Sequence, residues 1–264
     1  MTTFLVDSTS GACDSLWTDK DGYPVSAPLK KYMLIADLNI FDEERQSVIQ
    51  TEKIIFFAGC YEQILLLQAL SLGLIDESTY AEAAEYASKQ GYFALSYAII
   101  ATADWTITHK GCNNDLGLVY GGSGGNQAKL AYSNTYQTKL AVEEACKLDP
   151  LSGPPVSFYH HTLDGDDYFE DMEDIGNSDV ENIYSLTADL LDSIKAHRKG
   201  GTMNDHKNAG YSTASSKEAP PVDIGQVIEN HHEYKGHDSK KKTKFAKHIV
   251  LQSRKIKKYK QLSL

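Results

Sequence analysis

The chain has 264 residues, of which 41% are hydrophobic, 23% charged and 10% aromatic, an ordinary balance for a globular protein able to bury roughly 70–75% of its unfolded surface. That composition excludes collagen-like, low-complexity and disulfide-scaffold classes, and no apolar run reaches the ~20 residues of a membrane helix. The net charge of −10 is uneven, because residues 235–264 carry 11 Lys and Arg against Asp238 alone and leave 15 against 35 Asp and Glu in residues 1–234. So acidic a body repels nucleic acid, and any phosphate binding falls to the basic tail.

In chain order, TTFLVDST reads as a strand broken at Gly11, and ACDSLWTD as a second strand ending in the DKDG turn, so a hairpin opens the protein. Residues 24–35 are extended by two prolines and then apolar, residues 42–50 form a charged excursion, and IIFFAG (54–59) is a buried strand. Helical spacing predicts two neighbouring helices over 61–74 and 78–90. Residues 92–108 are strand-like with a turn at 110–114, LGLVYGG is the next strand, and 126–147 reads as one long helix stopped by Asp149-Pro150. VSFYHH follows, then an acidic stretch too irregular for a core strand, an amphipathic helix over 179–197, a linker over 200–225 and a Lys-rich segment over 240–260. Sheets and helices come in blocks, which fits an α+β sandwich and argues against a doubly wound fold. Cys13, Cys60, Cys112 and Cys146 lack Cys-x-x-Cys spacing and are expected to be reduced thiols. With neither a basic n-region nor a long apolar h-region at the start, a cytoplasmic location is expected.

Thr2 follows the initiator methionine and is small enough for that methionine to be trimmed. Trimming would expose a hydroxyl and an α-amine on one residue, a nucleophile with its own base of unperturbed pKa ~7.7–8.0. An ordinary strand start explains a lone Thr2 equally well. Six pieces in sequence go further: the MTT start, Asp14 in ACDS, the Lys30-Lys31 pair in LKKYMLI, the IIFFAG strand, Gly-Ser-Gly-Gly at a helix start, and Asp-x-x-Ser-Gly at 149–153. Over about residues 2–159 the chain resembles proteasome β-subunits and HslV-type N-terminal threonine peptidases.

The resemblance implies a four-layer αββα sandwich of the N-terminal-nucleophile hydrolase type over residues 1–160, with residues 161–264 an extension made of an acidic loop, a helix and a basic tail. It makes Thr2 the nucleophile, and it calls for no cofactor and no metal; unlike many members of the family, the chain is expected to unmask Thr2 by removal of Met1 alone. Asp14, with Asp19 as a weaker candidate, would hold the site lysine. That lysine is Lys31, with Lys30 as its rival, since adjacent strand residues point to opposite faces. Gly59 would supply the oxyanion-hole N–H, and Ser123, Asp149 and Ser152 would hydrogen-bond around the α-amine. Read without the resemblance, those three are a helix cap, an Asp-Pro turn and a turn tip. Trp17, Leu29, Phe57, Tyr61 and Leu65 would line a pocket preferring small neutral side chains. The implied partners are a polypeptide substrate, further copies in a homo-oligomeric ring, and an ATP-dependent unfoldase.

The chain departs from the pattern in a longer stretch between Lys31 and IIFFAG, a shorter first hairpin, and a region after Tyr159 without counterpart. The acidic run at 164–174 fails as an EF-hand, which needs Gly and Glu where Phe169 and Ile175 stand. His160-His161 and the histidines of 231–237 have no fixed geometry, and the basic tail is expected to be solvated or to touch another subunit, with nucleic acid a lesser option. Three rival functions stay open: a catalytically inactive proteasome-like scaffold, an amidohydrolase acting on a small amide, and an interaction protein working through its tail.

Overall fold

The structure is a computed structural model that describes residues 2–19, 21–42, 47–164, 166–198 and 262–263, and of 36–42, 47–52 and 177 the backbone alone. The expected linker over 200–225, the histidines of 231–237 and the Lys-rich segment lie outside the described residues. The chain is a mixed α/β protein with antiparallel sheets and, among the described residues, five helices.

Strand β1 (Thr3–Val6) is buried at all four positions and pairs with β2 (Ser10–Asp14) on one side and β10 (Leu118–Gly122) on the other. A strand covered on both faces reads as a continuous apolar run, and TFLV is one. Adding β11 (Val156–His160), β12 (Tyr168–Glu170) and β9 (Asn113–Asp115) gives a six-stranded sheet in the order β12-β11-β2-β1-β10-β9. A second sheet runs β5 (Tyr32–Asp42), β6 (Ser47–Gly59), β7 (Leu95–Ala101) and β8 (Thr106–Gly111) in sequence order, and β3 (Trp17–Thr18) pairs with β4 (Pro24–Val25).

Three apolar clusters hold these parts together. Phe4, Val6, Phe56, Ile54, Ala98 and Val119 pack from both large sheets into one cluster. Leu5, Ala12 and Tyr120, on the other face of the first sheet, pack against Ala128 of α3 (Gly125–Thr135) and Ala141, Val142 and Ala145 of α4 (Thr138–Leu148). The largest cluster joins Ile55, Phe57 and Ile99 to α1 (Tyr61–Ser71), α2 (Glu77–Lys89) and α5 (Asn177–Arg198). Alternation along β6, with Phe56 facing one cluster and Phe57 the other, is the period-2 rule at work. No helix among the described residues is long and apolar enough to cross a membrane.

Several expectations shift. The first turn lies at 7–9, where Asp7 Oδ1 accepts from the N–H groups of Thr9 and Ser10, and Gly11 sits inside β2 opposite Val6 and Tyr159. The described parts of the charged excursion, Asp42 and 47–50, belong to β5 and β6, which pair from Leu38↔Thr51 to Asp42↔Ser47 beyond a bulge at Ile35/Leu38. Residues 110–114, expected as a turn, end β8 and begin β9, and the chain turns instead at Trp105, φ 54, between β7 and β8 and at Leu116 and Gly117, φ 51 and 83, between β9 and β10. The acidic stretch does contribute a strand, β12, a half-exposed edge paired with β11. The four cysteines are free, as expected, with Cys13 and Cys60 buried.

The long helix expected over 126–147 is two helices, because Tyr136 adopts the left-handed conformation at φ 51 and ends α3. An L-residue there costs about 1–2 kcal/mol that glycine avoids. Tyr136 is 75% exposed, so little packing is lost when its ring is removed. Tyr136→Gly should therefore be more stable than Tyr136→Ala by about 1 kcal/mol in urea denaturation; an alanine variant equal to or better than glycine would contradict the break.

Candidate active site

Asp14 ends β2 with no water contact, and everything around it is aimed at its carboxylate. Oδ1 accepts from the Thr3 N–H at 2.7 Å, while Oδ2 accepts from the N–H groups of Gly153 at 3.0 Å and Leu16 at 3.2 Å. The Lys31 ammonium lies 3.4 Å from Oδ2, with both side chains 1% exposed or less. Lys31 also donates to the Leu16 carbonyl and lies 4.9 Å from the centre of the Trp17 ring. Burial is the dominant influence on both ionisations: it pushes Lys31 down against the attraction of Asp14, and Asp14 up against Lys31 and the Thr3 and Gly153 N–H groups. A buried pair is tolerated only when its remaining valences are met, and three backbone donors plus one carbonyl do this here.

The pairing separates the rivals seen in the sequence. Asp14, not Asp19, meets Lys31; Asp19 instead closes its own loop by accepting from the N–H groups of Asp21 and Tyr23. Lys30 points the other way, toward Asp179 and Glu173, as opposite faces of an extended segment require.

Thr2 immediately precedes β1, is fully enclosed, and its Oγ1 has no hydrogen-bond partner among the described residues. An orphaned buried hydroxyl costs roughly 1–3 kcal/mol, so it is seldom left without a reason. Beside it, Gly122 takes φ 88, and a Cβ there would come 1.5 Å from the Thr2 carbonyl oxygen and 3.0 Å from the Ala58 Cβ. The end of β6 is thereby brought against the start of β1. Gly59, the last residue of β6, takes φ 142, where a side chain would strike the Ala94 carbonyl oxygen at 2.2 Å.

A hydroxyl chain lies on the other flank. Asp149 Oδ2 accepts from Ser123 Oγ at 2.5 Å and from Ser152 Oγ at 2.7 Å, and Ser152 Oγ shares a hydrogen bond with Thr3 Oγ1 at 2.8 Å. The three residues singled out in the sequence thus meet at Asp149, and they reach the start of β1 through Thr3, which the sequence reading passed over. Its signal was present in the doubled threonine of MTT. Leu16 and Gly153, which supply backbone groups to Lys31 and Asp14, carry no signal in their residue type.

Trp17, Leu29, Phe57, Tyr61 and Leu65 all belong to the largest apolar cluster and are at most 5% exposed. Trp17 donates to the Leu29 carbonyl and meets the Tyr61 ring edge-on at 5.5 Å. One turn into α1, burial pushes the Glu62 carboxyl up to about 7, and its Oε2 has no hydrogen-bond partner among the described residues. Among the described residues no three His, Cys, Asp or Glu side chains group as metal ligands do.

No protein-family description matches the chain, and no curated protein matches it. Two solved structures are similar: Thiobacillus denitrificans BPH in complex with epoxomicin, at 16% identity, and Thiobacillus denitrificans BPH, at 14%. Each has a TM-score of 0.39 and covers 62% of this chain, against 99% and 100% of its own. At that TM-score neither match bears on what this chain does.

Breaking one half of a buried pair strands the other, at a cost of roughly 3–5 kcal/mol, whereas replacing both costs far less. Asp14→Asn and Lys31→Met should each destabilise the chain by about that much, and the double variant by less than their sum. Additive losses in urea denaturation would show that the two side chains are not coupled.

Proposed function

We propose that the chain is an N-terminal threonine peptidase whose nucleophile is the Thr2 hydroxyl. The observation that carries the reading is the enclosed, unpartnered Thr2 Oγ1 at the head of a strand whose next N–H is held by Asp14, the partner of buried Lys31. Once Met1 is trimmed, the α-amine of Thr2 takes the hydroxyl proton through a water, and Oγ1 attacks the scissile carbonyl. The Lys31 ammonium, joined to the start of β1 through Asp14, would favour the alkoxide, and its own desolvation would strengthen that field. Charge developing on the carbonyl oxygen is received by the Gly59 N–H, a kind of donor whose loss typically costs ~2.7–4 kcal/mol of barrier. Collapse, with the α-ammonium returning its proton to the leaving nitrogen, expels the amine product and leaves an ester on Thr2 that water hydrolyses.

The Ser123–Asp149–Ser152 chain holds Thr3, and through it the orientation of Thr2. The uncharged group of Trp17, Leu29, Phe57, Tyr61 and Leu65 disfavours charged side chains beside the scissile bond. Helices flanking two facing sheets are read as four layers, with α1, α2 and α5 outside one sheet and α3 and α4 outside the other. A ring of copies enclosing the sites, fed by an unfoldase, would keep so unselective a nucleophile from folded proteins.

Enclosure of Thr2 favours a second reading, a shell protein without chemistry, wherever Met1 is retained. Hydrolysis of fluorogenic peptides separates the two. The Met1-free chain should cleave after small neutral residues in preference to Arg or Glu, and Thr2→Ala and Lys31→Met should each lower kcat by at least ~100-fold. Undiminished cleavage by Thr2→Ala would remove the nucleophile, and preference for a charged residue would remove the pocket.

A further inference from the structure

Lys31 belongs to no regular strand; it stands at the junction between an irregular segment and β5. A desolvated ammonium gains from Asp14 only if the backbone beneath it is fixed, because a displacement of an ångström forfeits most of the contact. From the inside, the Leu29 carbonyl accepts from Trp17 Nε1, the Lys30 carbonyl from Gln68 Nε2 and the Lys31 carbonyl from the Phe57 N–H, at 2.8–2.9 Å.

The outside is held by residues 172–183. Asn182 Nδ2 donates to the Pro28 carbonyl at 3.1 Å, the Glu173 N–H to Tyr32 Oη at 3.2 Å, and the Ile175 N–H to the Leu34 carbonyl at 2.8 Å. Leu34 and Asp174 form a parallel bridge, and Lys30 reaches Asp179 at 3.4 Å and Glu173 at 3.7 Å. The segment is itself anchored at both ends, by Met172 in the cluster between the sheets and by Val180 and Ile183 in the cluster under α1. Lys30 is a third exposed, so its ion pairs orient more than they stabilise.

We propose that residues 172–183 are a positioning strap: by gripping Pro28, Lys30, Tyr32 and Leu34 from outside, they commit Lys30 outward and turn Lys31 inward onto Asp14. Ile175, Asp179 and Asn182 act through Lys31 and touch no substrate. The consequence for catalysis rests on the threonine-peptidase reading, but the positioning can be measured without any activity.

The experiment is timed acylation of the full chain with an amine-reactive acetyl ester, with Lys30, Lys31 and Lys53 resolved by fragment-ion mass spectrometry. In Asp179→Asn/Asn182→Ala the acylation of Lys31 should speed up about tenfold through local opening, while Lys53, partly buried in β6, keeps its rate. Glu85→Gln, which breaks the exposed Lys89 ion pair, should leave Lys31 as it was. If the double variant fails to fold, Asn182→Ala alone should give about a threefold rise. Unchanged protection of Lys31 in a folded strap variant, or an equal rise at Lys53, would overturn the proposal. Fluorogenic peptides are followed in parallel: release of Lys31 in a protein that never cleaves them keeps the strap and sinks the threonine chemistry.

Discussion

An ion pair removed from water dictates much of how this chain is put together. Two charges in the interior are a liability unless every remaining valence is met, and Asp14 and Lys31 draw their support from far-apart stretches: Thr3 from β1, Leu16 from the β2–β3 connection, and Gly153 from the turn before β11. The same contacts fix the start of β1, because the N–H after Thr2 is one of the donors. Placement of Thr2 is therefore a by-product of satisfying a buried carboxylate.

A second constraint comes from close approach. Gly122 lies against the Thr2 carbonyl within one sheet and Gly59 against the Ala94 carbonyl within the other, and a side chain at Gly122 would also press on Ala58 across the sheets. That proximity brings the end of β6, the start of β1 and the end of β10 to one place. Thr2 comes from just before β1, Lys31 from just before β5 and Gly59 from the end of β6, and the two hydroxyl-bearing turns at Ser123 and Ser152 meet at Asp149.

Much of this site was legible because its chemistry resides in residue type and order. A threonine after methionine, one aspartate, a paired lysine and a serine-aspartate-serine set can be listed from the sequence, and the structure places Asp14 with Lys31 and Asp149 with both serines. The choice of Lys31 over Lys30 depended on contacts far along the chain, at Glu173 and Asp179 rather than at neighbours, which no local pattern carries. Backbone conformation was the harder part. Tyr136 breaks a helix without a glycine or proline to announce it, and Trp105 turns the chain at positive φ inside the stretch 92–108 that reads as strand. The charged residues at 42–50 say nothing of how far the flanking strands run, because that depends on pairing between β5 and β6.

The most direct test of the central claim is the intact mass of the purified protein after exposure to an epoxyketone, which closes a ring on a residue bearing both a free α-amine and an adjacent hydroxyl. The account predicts a single adduct on a chain lacking Met1 and no adduct on Thr2→Ala. A Met1-free chain that takes no adduct, or an adduct that survives Thr2→Ala, would contradict it.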